Sequence, residues 1–190
     1  MIKDLVCRNR SYRKFDQAKA LAKESLVQMV ALARCSPSAA NLQNLRFWLV
    51  NEPDECAKVF PHLKWANYLR NWDGPMQGEQ PTGYIILLSP QNCTKFHYLD
   101  AGIACQSILL GAVEMGYGGC IIASVDRDKI HSSLNIPEGL EILLVIALGV
   151  PAEQVVIEDI KDDGDIEYWR DANEVHHVPK RSLASLILNL

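Results

Sequence analysis

The sequence lacks the short motifs typical of phosphate-binding loops and of hydrolase nucleophiles. It contains no G-x-x-x-x-G-K-[ST] loop and no G-x-S-x-G elbow. Its glycine-rich stretch GYGG, residues 116–119, is predicted to close a helix and open a strand, whereas a dinucleotide-binding glycine loop follows a strand and opens a helix. The sequence therefore argues against a P-loop enzyme and a Rossmann site, and nothing in it supports a hydrolytic triad.

Metal-ligand and disulfide patterns are also missing. There is no H-E-x-x-H motif, and the adjacent pair His176 and His177 is poor geometry for one metal ion. The six cysteines, at positions 7, 35, 56, 93, 105 and 120, include no C-x-x-C pair. We expect no metal site and no disulfide framework, and we interpret most cysteines as small buried hydrophobic residues.

An excess of basic residues is absent, since the net charge is −4 and the isoelectric point is near 5.7. A general nucleic-acid binder normally shows the opposite balance, so no nucleic-acid partner is expected. The N-terminus has no export-type apolar run, and the longest apolar runs, YIILL and ILLVIALGV, are too short to cross a bilayer. We expect a cytoplasmic protein of one domain, residues 1–190, without a membrane partner.

Helical and extended patterns alternate along the chain. The runs FWLVN, GYIILLS, CIIASV and LEILLVIALGV are typical of strands, and FHYLDAGIACQSILLGAVEM is typical of a buried helix. Ser25 and Asp126 are predicted helix N-caps. The residues after Pro151 are polar and poorly periodic until a final SLASLILNL. This order predicts an α/β or α+β domain in which helices cover a central sheet.

Positive charge is concentrated in the stretch CRNRSYRKFD, residues 7–16, where Arg8, Arg10, Arg13 and Lys14 surround Ser11. Two interpretations are open: a solvated helix end, or an anion site in which arginine forks and a hydroxyl bind phosphate. A second basic cluster, Lys180 and Arg181, could converge on the same phosphate.

Three other stretches have both a structural and a functional interpretation. Asn41 and Gln43 in SPSAANLQ either satisfy a surface turn or line a slot for a planar heterocycle. Gly118 and Gly119 either close a helix or let the backbone approach a flat ligand. The aromatic residues Trp65, Tyr68 and Trp72 recur at helical spacing, which favours a core stripe over a ligand site.

Taken in order, the segments NRSYRKF, SPSAANLQNLRFWLV, GIACQSILLGAVEMGYGGCIIASV, LLVIALGVP and PKR resemble the FMN-dependent nitroreductase family across nearly the whole chain. The resemblance implies that the early basic stretch binds the phosphate of FMN. It places Asn9 where the family often has an arginine, with Arg8 one position earlier. It also places Asn44 and Leu45 at the family's usual proline and tryptophan, so the resemblance implies a divergent branch of the family.

The same resemblance implies a set of cofactor-binding residues. At the phosphate they are Arg10, Ser11, Arg13, Lys180 and Arg181. Against the flavin ring of the partner subunit they are Pro37, Ser38, Ala39, Asn41 and Gln43. The segment that passes the ring contributes Gly118, Gly119, Ile121, Ile122 and Ala123. Trp65, Tyr68 and Trp72 are the candidate substrate contacts. No catalytic side chain is expected, because flavin and backbone would carry the chemistry.

The resemblance further implies an α+β, three-layer fold with a mixed, mostly antiparallel sheet, and a homodimer around which residues 151–190 wrap. The implied activity is ping-pong hydride transfer from NAD(P)H through FMN to nitroaromatic, quinone or similar planar acceptors. Two alternatives stay open: a non-catalytic protein that binds or stores flavin, and a cofactor-free interaction domain.

Overall fold

The computed structural model describes residues 1–92, 94–161 and 164–189. Its helices are α1 (Ile2–Arg8), α2 (Lys23–Arg34), α3 (Pro53–Val59), α4 (Lys95–Glu114), α5 (Arg127–Ser133) and α6 (Leu183–Leu186). Its strands are β1 (Arg46–Val50), β2 (Gly83–Pro90), β3 (Gly118–Ile122), β4 (Leu140–Gly149), β5 (Val155–Asp159), β6 (Trp169–Arg170) and β7 (His176–Lys180). Single 3-10 turns cover Ala39–Asn41 and Phe60–His62.

The central sheet has four strands in the order β1-β2-β4-β3, and every pairing in it is antiparallel. Strands β2 and β4 lie in the middle and are buried along most of their length. Their continuous apolar sequences follow from this position, because a strand covered on both faces cannot alternate with polar residues.

Helices cover both faces of this sheet, which gives three layers. One core packs α2 and α4 against Ile85 and Leu87 of β2. The other packs α3 and α5 against the alternate residues Tyr84 and Ile86. Successive side chains of a strand point to opposite faces, so one strand serves both cores. The predicted α+β, three-layer architecture is confirmed.

Two helix ends test the capping predictions. Asp126 caps α5 as predicted, since its Oδ1 accepts a hydrogen bond from the backbone N–H of Lys129 at 3.2 Å. Ser25 is not the N-cap of α2, because that helix begins at Lys23 after Ala22 and shows no side-chain cap. The burial of Leu26 and Met29 fixes α2 instead, since packing outweighs a missing cap.

Helix α4 is only partly buried, contrary to the expectation of a fully buried helix. Phe96, Leu99 and Ile103 are 47%, 60% and 42% exposed. In the described ranges α4 is the one helix long and apolar enough to cross a membrane, and half of that window is buried inside the protein. The core helix of a soluble protein meets the same criterion, and Asp100 interrupts the apolar sequence of α4.

The tail, residues 151–189, is more structured than its polar sequence predicts. It forms a second sheet of order β5-β7-β6, in which β5 and β7 are parallel and β6 and β7 antiparallel. The tail also packs on its own chain. Ala152 N–H donates to Lys14 O at 2.9 Å, and Phe15 and Pro151 form an isolated antiparallel β-bridge. Wrapping of the tail around a partner stays a prediction.

The cysteines divide into two groups. Cys105 and Cys120 are buried and Cys56 is half-buried, which fits the expected packing role. Cys7 and Cys35 are exposed, because α1 and the C-cap of α2 lie on the surface, and they are the exceptions that an expectation for most cysteines allows. Cys93 lies outside the described residues.

Candidate functional site

The basic stretch and the tail line one cavity of about 350 Å³. Three cations face it, Arg10 and Arg13 from the basic stretch and Lys180 from β7, together with Ser11. The lining residues are Asn9, Arg10, Ser11, Arg13, Gln106, Leu109, Ile121, Val155, Tyr168, His176, Val178 and Lys180. Among the described residues none of this lining is acidic and three are cations, so the cavity, here called the cationic cavity, favours an anion.

The four cations of the basic stretch have two different roles. Arg8 pairs with Asp4 at 3.0 Å on the surface, and Lys14 pairs with Glu79 and Glu174 at 3.3 and 3.0 Å. Arg10 and Arg13 are the two that line the cavity. Arg8 fits the solvated helix end, the anion site at Arg10 and Arg13 stays a prediction, and Asn9 rather than Arg8 reaches the cavity wall.

Arg10 has one buried side-chain donor that is not used among the described residues. Its Nη2 donates to Val6 O at 3.0 Å, whereas its buried Nε has no hydrogen-bond partner within the described ranges. A buried donor without an acceptor is costly, and charged donors make the strongest hydrogen bonds. Because this nitrogen is shielded from solvent, the parts of Arg10 that line the cavity are its other atoms.

Gly118 allows the basic stretch to pack directly on β3, and Gly119 allows β3 to approach β4 and α4 closely. Tyr12 N–H donates to Gly119 O at 3.0 Å. A Cβ on Gly118 would lie 2.5 Å from the Tyr12 ring, and one on Gly119 would lie 2.6 Å from Ala147 O. The chain itself thus fills the space that a flat ligand was expected to use, and backbone contacts from these two glycines to a cofactor stay a prediction.

A second cavity of about 270 Å³ adjoins the first and shares Arg13, Ile121 and Tyr168 with it. Its other lining residues are Lys64, Trp65, Ala66, Asn67, Cys120, Ile122, Ala123 and Ser124. The structure therefore brings the predicted residues Ile121, Ile122 and Ala123 of β3 and the following turn next to the cationic cavity.

The aromatic residues Trp65, Tyr68 and Trp72 do not form a helical stripe, because residues 64–82 contain turns and no helix. Trp65 lines the second cavity. Tyr68 contacts Tyr168 with ring centroids 5.0 Å apart, and Trp72 lies under the Arg170 guanidinium at 4.3 Å. The tail therefore holds this loop in place.

The predicted flavin-ring segment lies elsewhere. Pro37, Ser38 and Gln43 line a third cavity of about 290 Å³ that shares no lining residue with the first two. In one chain the structure does not bring these residues to Arg10 and Arg13. Their supply by a second subunit stays a prediction.

This segment is strained and anchored. Ala40, Asn41 and Gln43 have φ values of 48°, 54° and 50°, in the left-handed region that costs non-glycine residues about 1–3 kcal/mol. The N–H of Ala39 donates to buried Asp100 Oδ1 of α4 at 2.9 Å. Strain of this kind concentrates at ligand sites, and α4 fixes the segment on the surface.

Sequence reasoning missed a buried polar cluster contributed by the tail. Glu153 accepts hydrogen bonds from the backbone N–H groups of Arg13 and of Lys14, the latter at 3.0 Å. Its other oxygen pairs with Arg170 at 2.8 Å, and the two side chains are 2% and 9% exposed. Nothing in the local pattern marks Glu153, because its partners lie far away in sequence.

His176 belongs to the same cluster. It is fully buried, and its Nε2 lies 3.2 Å from Arg13 Nη1. Burial lowers the pKa of His176 to about 4, with further lowering by Arg13, Arg170 and His177. The imidazole is therefore neutral at physiological pH.

The site offers cations and hydrogen-bond donors rather than metal ligands. Within the described residues no group of three His, Cys, Asp or Glu side chains could hold a metal ion. Cys120 borders the second cavity, and burial raises the pKa of its thiol, which disfavours the reactive thiolate.

Comparison with known proteins decides the family. The model of the Nitroreductase family matches residues 8–150, from the basic stretch to the end of β4. The chain belongs to the nitroreductase family. The tail lies beyond the matched residues.

Individual nitroreductase-family relatives agree with this. The chain is 29% identical over 171 residues to a Methanothermobacter thermautotrophicus protein provisionally named NADH dehydrogenase/NAD(P)H nitroreductase, covering 84% of this chain and 83% of the other. It is 26% identical over 186 residues to the CLA biosynthesis enone reductase of Lactiplantibacillus plantarum, covering 80% and 86%. An FMN-dependent nitroreductase structure from Clostridium difficile R20291 superposes with a TM-score of 0.63 at 22% identity, covering 81% and 89%. The fold is that of nitroreductases, and the family supports an oxidoreductase.

Proposed function

We propose that this nitroreductase-family protein is an FMN-dependent NAD(P)H oxidoreductase that reduces nitroaromatic, quinone or similar planar acceptors. The observation that carries the proposal is the cationic cavity, where Arg10, Arg13 and Lys180 converge and no acidic residue of the described chain lines the space. Ser11 adds a hydroxyl donor to this lining. The residues present therefore fit FMN.

The chain's own residues would divide the binding of FMN between them. Arg10, Ser11, Arg13 and Lys180 would hold the phosphate, and Arg181, which follows Lys180 but is not among the lining residues, would add a further cation. Ile121 to Ala123 would line the ring, because β3 and the turn after it border the second cavity. Pro37 to Gln43 of a second copy would cover the ring from the other side.

When bound, FMN supplies the redox chemistry by accepting hydride from NAD(P)H and passing it to the acceptor. The protein contributes orientation and a fixed positive field. Donor and acceptor would use the same second cavity in turn, and Trp65 at its wall is the substrate contact that the geometry favours. Tyr68 and Trp72 would act indirectly, by holding the loop that carries Trp65.

A homodimer is part of this proposal. Phe96, Leu99 and Ile103 expose an apolar surface on α4, and Ile121 at the cationic cavity is 42% exposed. A contiguous apolar surface of this kind marks an interface in soluble proteins. Since α4 also anchors the strained segment through Asp100, a second copy on this face would bring that segment towards the cavity.

The deciding experiment is the absorption spectrum of the purified protein, followed by addition of NADH or NADPH. We expect a yellow protein that releases non-covalent FMN when it is denatured. In the native protein, addition of NADH or NADPH should rapidly bleach the flavin absorption. Steady-state rates should give parallel double-reciprocal lines for donor and acceptor. FMN without rapid oxidation of NAD(P)H would favour a flavin-storage protein, and a colourless folded protein would favour an interaction domain.

A further inference from the structure

We propose that His176 is a positioning residue that accepts a hydrogen bond from Arg13 and holds its guanidinium at the wall between the two cavities. The effect of this contact on FMN binding rests on the proposed function. The contact itself is a property of the chain. It assigns a role in the cofactor site to a residue from the tail, beyond the part of the chain that the family model matches.

The direction of the hydrogen bond follows from the chemistry of the two groups. Arg13 Nη1 lies 3.2 Å from His176 Nε2, and a guanidinium can only donate. Nε2 must therefore carry the lone pair, and the ring proton must sit on Nδ1. Nδ1 is buried and has no partner among the described residues. The Nδ1–H group of His176 thus makes no hydrogen bond among the described residues, while Nε2 accepts one from Arg13.

Other contacts complete the support of Arg13. The same Nη1 donates to Ser11 O at 3.2 Å, and the guanidinium lies 4.8 Å from the centre of the Tyr168 ring. Tyr168 in turn packs on His176 with centroids 5.2 Å apart. Arg13 is held by a carbonyl, an aromatic face and an imidazole at once.

This arrangement matters because Arg13 lines both cavities. A free arginine has many rotamers and loses their entropy when it binds a ligand. A guanidinium that is already fixed avoids that loss, so preorganisation raises affinity without any new ligand contact. His176 would therefore act on FMN through Arg13.

The chain provides a matched control in His177, the next residue of β7. His177 contacts Glu158 and Asp171 and stacks on Trp169 at 4.1 Å, and it is not among the residues lining the cationic cavity. Replacement of His177 measures how far a change in β7 alone weakens FMN binding. His176→Gln is the conservative variant, because an amide oxygen can replace Nε2 as the acceptor.

The experiment measures the Kd of FMN for the full-length dimer and its variants. We expect His176→Ala to weaken binding about tenfold or more, and His176→Gln and His177→Gln to stay within about threefold of the wild type. In an Arg13→Ala background, His176→Ala should have no further effect, since the group it positions is gone. A full additional loss in that background, or an equal loss in His177→Gln, would overturn the proposal.

Nitrogen NMR of the histidine rings provides a second measurement that needs no flavin. We expect the Nδ1–H tautomer for His176 in the apo protein, and a change of its ring signals on Arg13→Ala. The Nε2–H tautomer would refute the positioning role even if FMN binds. A wild-type protein that shows the expected tautomer but binds no FMN would refute the proposed function and leave the Arg13 contact intact.

Discussion

Arg170 and Glu153 form a buried ion pair in which Nη2 and Oε2 lie 2.8 Å apart. Each partner reaches a different part of the site. Glu153 also accepts from the backbone of Arg13 and Lys14, and Arg170 also lies over the Trp72 ring at 4.3 Å. The pair therefore joins the basic stretch, the loop of residues 64–82 that carries Trp72, and the tail.

Removal of either partner should lower the free energy of unfolding. Glu153→Ala would leave the Arg170 guanidinium buried without its carboxylate and two backbone N–H groups without their acceptor. Breaking a buried pair costs about 3–5 kcal/mol of the free energy of unfolding. Urea denaturation followed by circular dichroism measures this loss.

The surface pair of Asp4 and Arg8 is the matched control for Glu153→Ala. Its side chains are 62% and 55% exposed at a distance of 3.0 Å, and exposed helical pairs contribute only about 0.3–0.5 kcal/mol. Asp4→Ala should therefore leave the urea midpoint nearly unchanged. Equal small losses in both variants would mean that the tail cluster does not stabilise the fold.

Replacement of both cavity arginines should weaken FMN binding sharply. Charge-assisted hydrogen bonds contribute about 1.5–3 kcal/mol each, so Arg10→Ala with Arg13→Ala should cost two or more decades in affinity. The apo fold should remain, as circular dichroism can check. Replacing the exposed cations Lys58 and Lys129 by alanine removes the same charge and should leave the Kd unchanged. If both double variants bind FMN alike, the cavity is not the phosphate site.

The sequence was sufficient to predict the central sheet and the helices that cover it. Long apolar runs such as those of β2 and β4 allow few positions other than the middle of a sheet. The cluster around Ser11 likewise predicted an anion site, and Arg10 and Arg13 do line a cationic cavity. The pattern could not separate them from Lys14, because its carboxylate partners Glu79 and Glu174 lie far away in sequence, whereas the partner of Arg8 is Asp4 one helical turn away.

The tail could not be predicted for the same physical reason. Strand β7 reads His-His-Val-Pro-Lys and shows little apolar alternation, since its stability comes from His177, Trp169 and the buried Glu153–Arg170 pair. The roles of Gly118 and Gly119 also depend on distant groups, Tyr12 and Ala147. Interactions of this range leave no periodic signal along the chain.

The buried thiols should not be needed for catalysis. Burial raises the pKa of Cys105 to about 12 and also raises that of Cys120, so neither forms a thiolate at neutral pH. Serine at either position should reduce stability by about 1–3 kcal/mol through burial of a hydroxyl. The rate of flavin reduction by NAD(P)H should stay within about tenfold, or roughly 1.4 kcal/mol of barrier. Loss of flavin reduction in a folded, FMN-loaded serine variant would instead indicate a redox-active thiol.

His176 should make the fold sensitive to mild acid. Its pKa is about 4 in the folded chain and about 6.5 when unfolded. Between these values the unfolded chain binds a proton that the native chain does not, so stability falls as the pH is lowered from 6.5 towards 4, by up to roughly 1.4 kcal/mol per pH unit. Above 6.5 this contribution is complete. Urea midpoints at pH 7.5 and 5 should therefore differ more for the wild type than for His176→Gln, and equal differences would contradict the buried neutral histidine.

The end of the tail should control assembly. In the described chain Leu183, Leu186 and Leu188 are 69%, 61% and 98% exposed, and α6 buries no residue. We therefore expect a chain ending at Arg181 to keep its secondary structure, since Glu153, Arg170 and His176 remain. It should lose the dimer, as light scattering during size-exclusion chromatography would detect, and it should bind FMN weakly because Pro37 to Gln43 of a second copy would be missing.

A chain ending at Pro151 is the companion test. It lacks the buried cluster as well as α6, so it should aggregate or be monomeric, and it should be free of flavin because the backbone of Arg13 and Lys14 loses its Glu153 acceptor. If the chain ending at Arg181 is still a dimer, the exposed leucines are not the interface. A folded, FMN-loaded monomer ending at Pro151 would show that neither the tail nor a second subunit is needed, because every group required to hold the flavin would then lie between α1 and β4 of one chain.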